Sequence, residues 1–130
     1  MEEEIIEIIN DEADKGERLN LLVDEFRRGR DVSELLPLLR SENVEVVSIV
    51  AWIFSELPEE LYSAEEFVSA LRDLTEHADA MVRFHALSAA FPFLNAGDAA
   101  TRTLLARLME DENAGVRKIA EAAAARLHIT

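Results

Sequence analysis

The chain has 130 residues, of which 49% are hydrophobic, and a formal net charge of −14. This material suffices for the core of one domain, and no apolar run approaches the roughly 20 residues of a membrane-spanning helix. The absence of cysteine excludes disulfides, thiol catalysis and cysteine-bound zinc. An acidic N-terminus, where a secretory signal has a basic region, further predicts a cytoplasmic protein.

The first thirty residues predict two helices. Apolar residues recur at helical spacing over 5–9 and again over 19–26. We expect the second helix to begin near Asp14 and to end at Gly29, because glycine is the usual residue just beyond a helix C-terminus.

The next segment predicts a second pair. Asp31 with Glu34 resembles a capping-box start for a third helix, which Pro37 should kink or restart. An apolar stripe over residues 46–57 predicts the fourth helix, and Pro58 should stop it.

Four further helices follow. Ser63 with Glu66 predicts a capping box for the fifth, and the sixth begins near Val82 and ends around Pro92. Asp98 is the predicted start of the seventh. The eighth buries an apolar stripe over residues 116–127.

Three of these turns, with the start of the helix after each, resemble one another in sequence. Their equivalent valines are Val46, Val82 and Val116, which are 36 and 34 residues apart. This spacing is a solenoid period, and a helix pair of this kind cannot bury its apolar face without a neighbour. We therefore predict an all-α fold, a short α-solenoid of about four stacked hairpins. The single domain covers 1–130, with approximate repeats 1–30, 31–58, 62–95 and 98–130.

The segments 82–86 and 116–120, each preceded by a short acidic turn, resemble the start of the second helix in HEAT and HEAT-like (Armadillo-type) repeats. The resemblance covers residues 31–130, and the first thirty more weakly. It implies a right-handed, curved stack whose second helices line the concave side and bind partners. It also implies that the arginine of these segments, Arg83 or Arg117, reaches an acid in the turn, Asp79 or Asp111. Val47 occupies the equivalent position one repeat earlier, so this ladder of arginine contacts between turns is interrupted there.

The sequence offers no group of residues suited to catalysis. The only histidines are His77, His85 and His128, and no two have the i, i+4 spacing that places two imidazoles on one helix face. The adjacent glutamates at 59–60 and 65–66 point apart on a helix, which favours solvated surface over a catalytic pair. We expect no catalytic residue, cofactor or metal, and hence no enzyme.

The negative charge lies mainly in two segments, 1–14 and 41–71, and neither contains a lysine or arginine. Such a field repels nucleic acid and anionic lipid and accelerates encounter with a basic protein. The same charge is equally expected of an acidic surface that only keeps the protein soluble. Trp52 and Phe84 lie opposite or beside the core stripes of their helices, where they either contact a partner or fill gaps between repeats. For Phe93 we expect a position in the core. The predicted partner-binding residues are Glu42, Glu45, Trp52, Glu56, Glu59, Glu60, Glu65, Glu66 and Phe84.

Two functional classes fit these features. The chain resembles small acidic HEAT-like immunity proteins that bacteria pair with toxins, many of them basic nucleases. That resemblance implies a protein, monomeric when free, that inhibits a basic toxin domain. The alternative is a HEAT-like scaffold or adaptor subunit of a larger complex, in which the charge is incidental. Copurification with a basic protein would separate the two classes.

Overall fold

The computed structural model describes residues 1–129, and the regular secondary structure of that range is entirely helical. The α-helices are α1 (Glu2–Ile9), α2 (Lys15–Arg27), α3 (Val44–Glu56), α4 (Glu65–Leu74), α5 (Ala80–Ala90), α6 (Ala99–Leu108) and α7 (Ala114–Arg126). Four 3₁₀ helices cover Val32–Glu34, Leu36–Arg40, Glu59–Tyr62 and Phe91–Phe93. The all-α prediction is confirmed for these residues. Thr130, the last residue of the predicted fourth repeat, lies outside them.

The helix α2 ends at a glycine, as predicted. Gly29 has φ +116°. The amide of Arg30 donates to the carbonyl of Glu25 at 3.0 Å, and the amide of Gly29 donates to that of Phe26 at 3.2 Å. This is the Schellman arrangement, which needs a left-handed residue just past the helix. Pro58 follows the end of α3, also as predicted.

The predicted third helix is present as two short 3₁₀ helices. Asp31 accepts a hydrogen bond from the amide of Ser33 at 2.9 Å. Glu34, however, pairs with Arg30, so the expected capping box is only half formed. Pro37 lies in the first turn of the second 3₁₀ helix, where its missing N–H costs no hydrogen bond, and it restarts the helix as expected.

Equivalent polar residues begin the second helix of three pairs. The N-caps of α3, α5 and α7 are Asn43, Asp79 and Asn113, and each side chain accepts hydrogen bonds from amides of the first turn. Asp98 caps α6 in the same way, as predicted. The capping box predicted at Ser63 and Glu66 is wrong. The residue that precedes α4 is Ala64, whose methyl group cannot accept a hydrogen bond, and Ser63 instead ends the preceding 3₁₀ helix.

Helices that are neighbours in sequence pack in pairs, and the pairs contact each other. The helix α1 contacts α2, the 3₁₀ helix Leu36–Arg40 contacts α3, α4 contacts α5, and α6 contacts α7. The helix α5 also packs against both α3 and α7. It contributes Ala89 and Ala90 to an apolar cluster formed with the preceding helices and Leu87 to a second cluster with α6 and α7. A single helix thus joins the two parts of the core.

A bidentate ion pair joins α5 to the turn that precedes α7. Arg83 Nε and Nη2 donate to the carboxylate of Asp111 at 2.8 and 2.9 Å. The third nitrogen, Nη1, donates to the carbonyls of His77 and Ala78. Of the two acids named as candidates, Asp111 is therefore the partner, because Asp79 is engaged as the cap of α5.

The turn before α7 repeats part of this arrangement. Arg117 Nη1 donates to the carbonyls of Asp111 and Glu112, which precede it by the same intervals as His77 and Ala78 precede Arg83. Val47, at the equivalent position of α3, is buried. It has no group that could continue the ladder, as the sequence predicts.

Candidate protein-binding face

One stripe of α3 carries Trp52 between two carboxylates. Glu45, Ile49, Trp52 and Glu56 have the spacing i, i+4, i+7 and i+11, which places them on one side of the helix. Both glutamates are exposed, whereas Ile49 and Trp52 are half-buried and pack against the first apolar cluster. Trp52 therefore packs against the core and still exposes part of its side chain, and its contact with a partner stays a prediction.

Trp52 lines an open pocket of about 270 Å³ between three helices. The other lining residues are Gly16, Leu19 and Asn20 of α2, Ser48 and Ile49 of α3, and His85 of α5. None of these is a lysine, arginine, aspartate or glutamate. Lys15 and Glu17 flank Gly16 in the sequence, Arg18 precedes Leu19, and Glu45 and Glu56 lie on the stripe of Trp52 itself. We call this feature the Trp52 pocket.

His85 was not among the predicted site residues. In the repeat alignment it occupies the position of Ile49, three residues after the equivalent valine, and this alignment was the signal that could have found it. Burial lowers the pKa of His85 from its ordinary value, and attraction by Glu56 opposes this shift in part. The imidazole is therefore neutral at pH 7 and keeps one nitrogen able to accept a hydrogen bond.

The half-buried Phe84 continues the aromatic surface toward α7. Its ring lies 5.4 Å from that of His85, at 83° between the ring planes. A Cβ atom added at Gly115 would lie 3.5 Å from the Phe84 ring, so the ring packs over a residue without a side chain. Just past the end of α5, the guanidinium of Arg126 lies 5.2 Å from the centroid of the Phe91 ring. Trp52, His85 and Phe84 therefore follow one another from α3 across α5.

Phe93 was predicted to lie in the core, and it packs at the edge of the first apolar cluster. Its ring meets that of Tyr62 edge-on, with 5.3 Å between the centroids. The Tyr62 hydroxyl donates to the carbonyl of Ala89 at 2.9 Å. Burial, with a smaller contribution from the charge of Glu59, raises the pKa of Tyr62 to about 12. Phe93 remains half-buried and lies in a 3₁₀ helix beyond the end of α5.

The outward side of α5 carries no formal charge at pH 7. Arg83 is the one lysine, arginine, aspartate or glutamate within this helix, and it is 8% exposed. Met81, in the first turn, is 50% exposed. Because 31% of the chain is charged, an uncharged side with exposed or half-exposed methionine, phenylalanine and histidine is a distinct surface. Glu56 of α3 lies near His85 on one side of this surface, and Arg126 of α7 lies over the Phe91 ring on the other.

The remaining predicted glutamates lie before α3, after α3 and in the first turn of α4. All are exposed: Glu42, Glu59, Glu60, Glu65 and Glu66. Glu66 lines a different pocket of about 460 Å³, together with Leu36, Pro37, Arg40, Ser69, Ala70 and Asp73. This second pocket and the Trp52 pocket have no lining residue in common. The structure thus groups Glu45 and Glu56 with Trp52 and places Glu66 at another surface.

Within residues 1–129, no three acidic or histidine side chains form a group that could hold a metal ion. None of the helices described there is long and apolar enough to cross a membrane. Comparison with models of known protein families, with curated proteins and with solved structures finds no match for this chain. The HEAT-like resemblance accordingly rests on the turn sequences alone and stays a prediction.

Proposed function

We propose that the chain is a non-catalytic protein-binding module built as a short, right-handed HEAT-like solenoid of about four hairpins. Three observations support this architecture: the pairwise contacts of successive helices, the equivalent caps of α3, α5 and α7, and the shared arginine contacts in two turns. In such a stack the second helices present a continuous surface to a partner. The Trp52 pocket and the uncharged side of α5 belong to these second helices.

One observation carries the binding role. Trp52, the single tryptophan of the chain, is half-buried beside an open pocket, with an exposed carboxylate on either side of it along α3. Tryptophan is enriched among the residues that dominate binding energy, particularly where it lies in a pocket with a polar rim. A tryptophan that already packs against the core loses little further conformational entropy on binding. This arrangement suits a partner-binding site.

The partner is a basic protein, and the chain acts as an immunity-type inhibitor of it. The net charge of −14 and the base-free segment 41–71 support this assignment, because a negative field attracts a basic surface over a distance of about 10 Å at moderate salt. A basic nuclease is a fitting target, since the carboxylates present the same sign of charge as its substrate. Glu45 and Glu56 contact the partner, while the other predicted glutamates steer its approach.

Affinity capture from the native cell tests the proposal. The tagged protein should retain a basic protein in about equal amount, and so should the Glu66→Lys variant. The variant Glu56→Lys should lose it. Both reversals change the net charge equally, so their long-range effects are matched and the difference reports contact at the Trp52 stripe. Expression of the captured protein alone should arrest growth, and coexpression with this chain should restore it.

A scaffold role remains the second candidate because of the pocket around Glu66. Two recessed surfaces without shared lining residues would allow one chain to contact two partners. Capture of acidic or neutral proteins, lost with Glu66→Lys and retained with Glu56→Lys, would favour the scaffold and contradict the inhibitor.

A further inference from the structure

Three polar side chains line the Trp52 pocket without being fully buried. They are those of Asn20, Ser48 and His85. Elsewhere in the molecule such groups are engaged: the hydroxyl of Ser55 donates to the carbonyl of Trp52, and Nδ1 of His77 accepts from the amide of Asp79. The pocket therefore keeps an amide oxygen, a hydroxyl oxygen and an imidazole nitrogen available to a ligand.

The polar groups of the pocket match a planar cation better than an apolar side chain. An apolar side chain would cover Asn20, Ser48 and His85 without replacing their hydrogen bonds to water, and each buried unpaired group carries a penalty. A guanidinium group has five N–H donors and no acceptor, and it stacks favourably on an indole ring. Three acceptors around one tryptophan can take three of these five donors and leave the other two to water.

The charge around the pocket also favours a cation as the occupant. Glu45 and Glu56 share the stripe of Trp52, and no base of this chain lines the pocket. The nearby Arg27 is already engaged, because it donates to the carboxylate of Asp24 and to the backbone carbonyl of Glu56, both at 2.9 Å. The negative potential at the Trp52 stripe is thus not neutralised from within the pocket.

We propose that the Trp52 pocket receives one arginine side chain of the partner. Its guanidinium stacks on the indole of Trp52 and donates hydrogen bonds to Asn20 Oδ1, to Ser48 Oγ and to the unprotonated nitrogen of His85. This assignment rests on the proposed function, since it names the group that the basic partner inserts.

Three small probes test the pocket without knowledge of the partner. Nα-acetyl-arginine N-methylamide, its uncharged citrulline analogue and its apolar norleucine analogue are titrated at low salt and neutral pH. Trp52 is the single tryptophan, so its fluorescence reports occupancy, and NMR shifts of His85 locate the probe. We expect the arginine probe to bind at least about tenfold more tightly than either analogue, since stacking and charge together contribute about 1.4 kcal/mol, which is tenfold in affinity.

Matched variants test the contacts. Ser48→Ala should weaken the arginine probe about fivefold, as expected for one lost hydrogen bond. Ser69→Ala, at the other pocket, should leave its affinity unchanged. Circular dichroism confirms that each variant keeps its helical content.

Several outcomes would overturn the arginine assignment. They are equal or tighter binding of the norleucine probe, no binding of the arginine probe up to its solubility, or equal effects of the two serine variants. If a basic protein is nevertheless captured and lost with Glu56→Lys, the proposed function stands with another anchor. Tight binding of the arginine probe together with capture of an acidic partner would instead refute the proposed function and keep the pocket assignment.

Discussion

Replacing Asp111 with asparagine should cost this small protein a large part of its stability. The side chains of Arg83 and Asp111 are 10% and 8% exposed, and their two hydrogen bonds measure 2.8 and 2.9 Å. Removing one partner of a buried pair costs about 3–5 kcal/mol, against about 0–1 for an exposed pair. Asparagine keeps one acceptor, and Arg83 keeps its bonds to two carbonyls, so we expect a loss of about 2 kcal/mol. At about 4 °C per kcal/mol, Tm should fall by about 8 °C.

The pH dependence of unfolding provides a second measurement of this pair. The pKa of Asp111 lies below its ordinary value of 3.8, chiefly because Arg83 donates hydrogen bonds to the carboxylate. The native state therefore binds this proton less readily than the unfolded chain. The stability from this group is fully present above pH 3.8 and is lost as pH falls through the lowered pKa. The free energy of unfolding of Asp111→Asn should thus decline less steeply in acid than that of the wild type.

Denaturant and thermal unfolding, followed by circular dichroism, measure both effects. Asp98→Asn is the matched control: Asp98 also pairs with an arginine and caps a helix, but the pair is more exposed, and asparagine remains a good cap. Its stability should change little. If the two variants lose equal stability, or if Asp111→Asn keeps the acid dependence of the wild type, the Arg83–Asp111 pair does not support the fold as argued.

Further substitutions probe the core, the end of α2 and the binding face. Val82→Asp or Val116→Asp should unfold the domain, because both positions are 0% exposed and a charge there has no partner; an unchanged Tm would mean that the repeat register is wrong. Gly29→Ala should cost about 1 kcal/mol in chemical denaturation through strain at φ +116°, and no loss would contradict the Schellman end. Once a partner is known, stopped-flow kinetics should show that Glu56→Lys slows association in a salt-dependent way, whereas Trp52→Ala mainly speeds dissociation; the reverse pattern would contradict the assigned roles.

Local signals fixed much of the secondary structure. Gly29, Pro58 and Asp98 ended or began helices as expected, because glycine, proline and capping side chains act through nearby backbone geometry alone. The equivalent valines at 46, 82 and 116 are all fully buried. Ser63 failed as a cap because serine and glutamate three residues apart are compatible with more than one helix start, and here the chain forms a 3₁₀ turn first.

Less of the candidate site could be predicted. The seven glutamates were expected to be exposed, and they are, since a charged side chain without a partner stays in water. Spacing along one helix also places Glu45, Trp52 and Glu56 together. Sequence spacing says nothing, however, about which side of a neighbouring helix lies opposite. The meeting of Asn20 and His85 at Trp52 therefore could not be predicted.

The sequence by itself determined the helical class, the repeat spacing and the uneven charge, because these depend on composition and on periodicity within about one helical turn. Only the tertiary structure decided that Arg83 pairs with Asp111 and not with Asp79, since that choice depends on how one turn packs on the next. It alone also separated the Trp52 pocket from the surface around Glu66. Side chains far apart along the chain come together only when helices pack, and the shape of a pocket is a property of that packing.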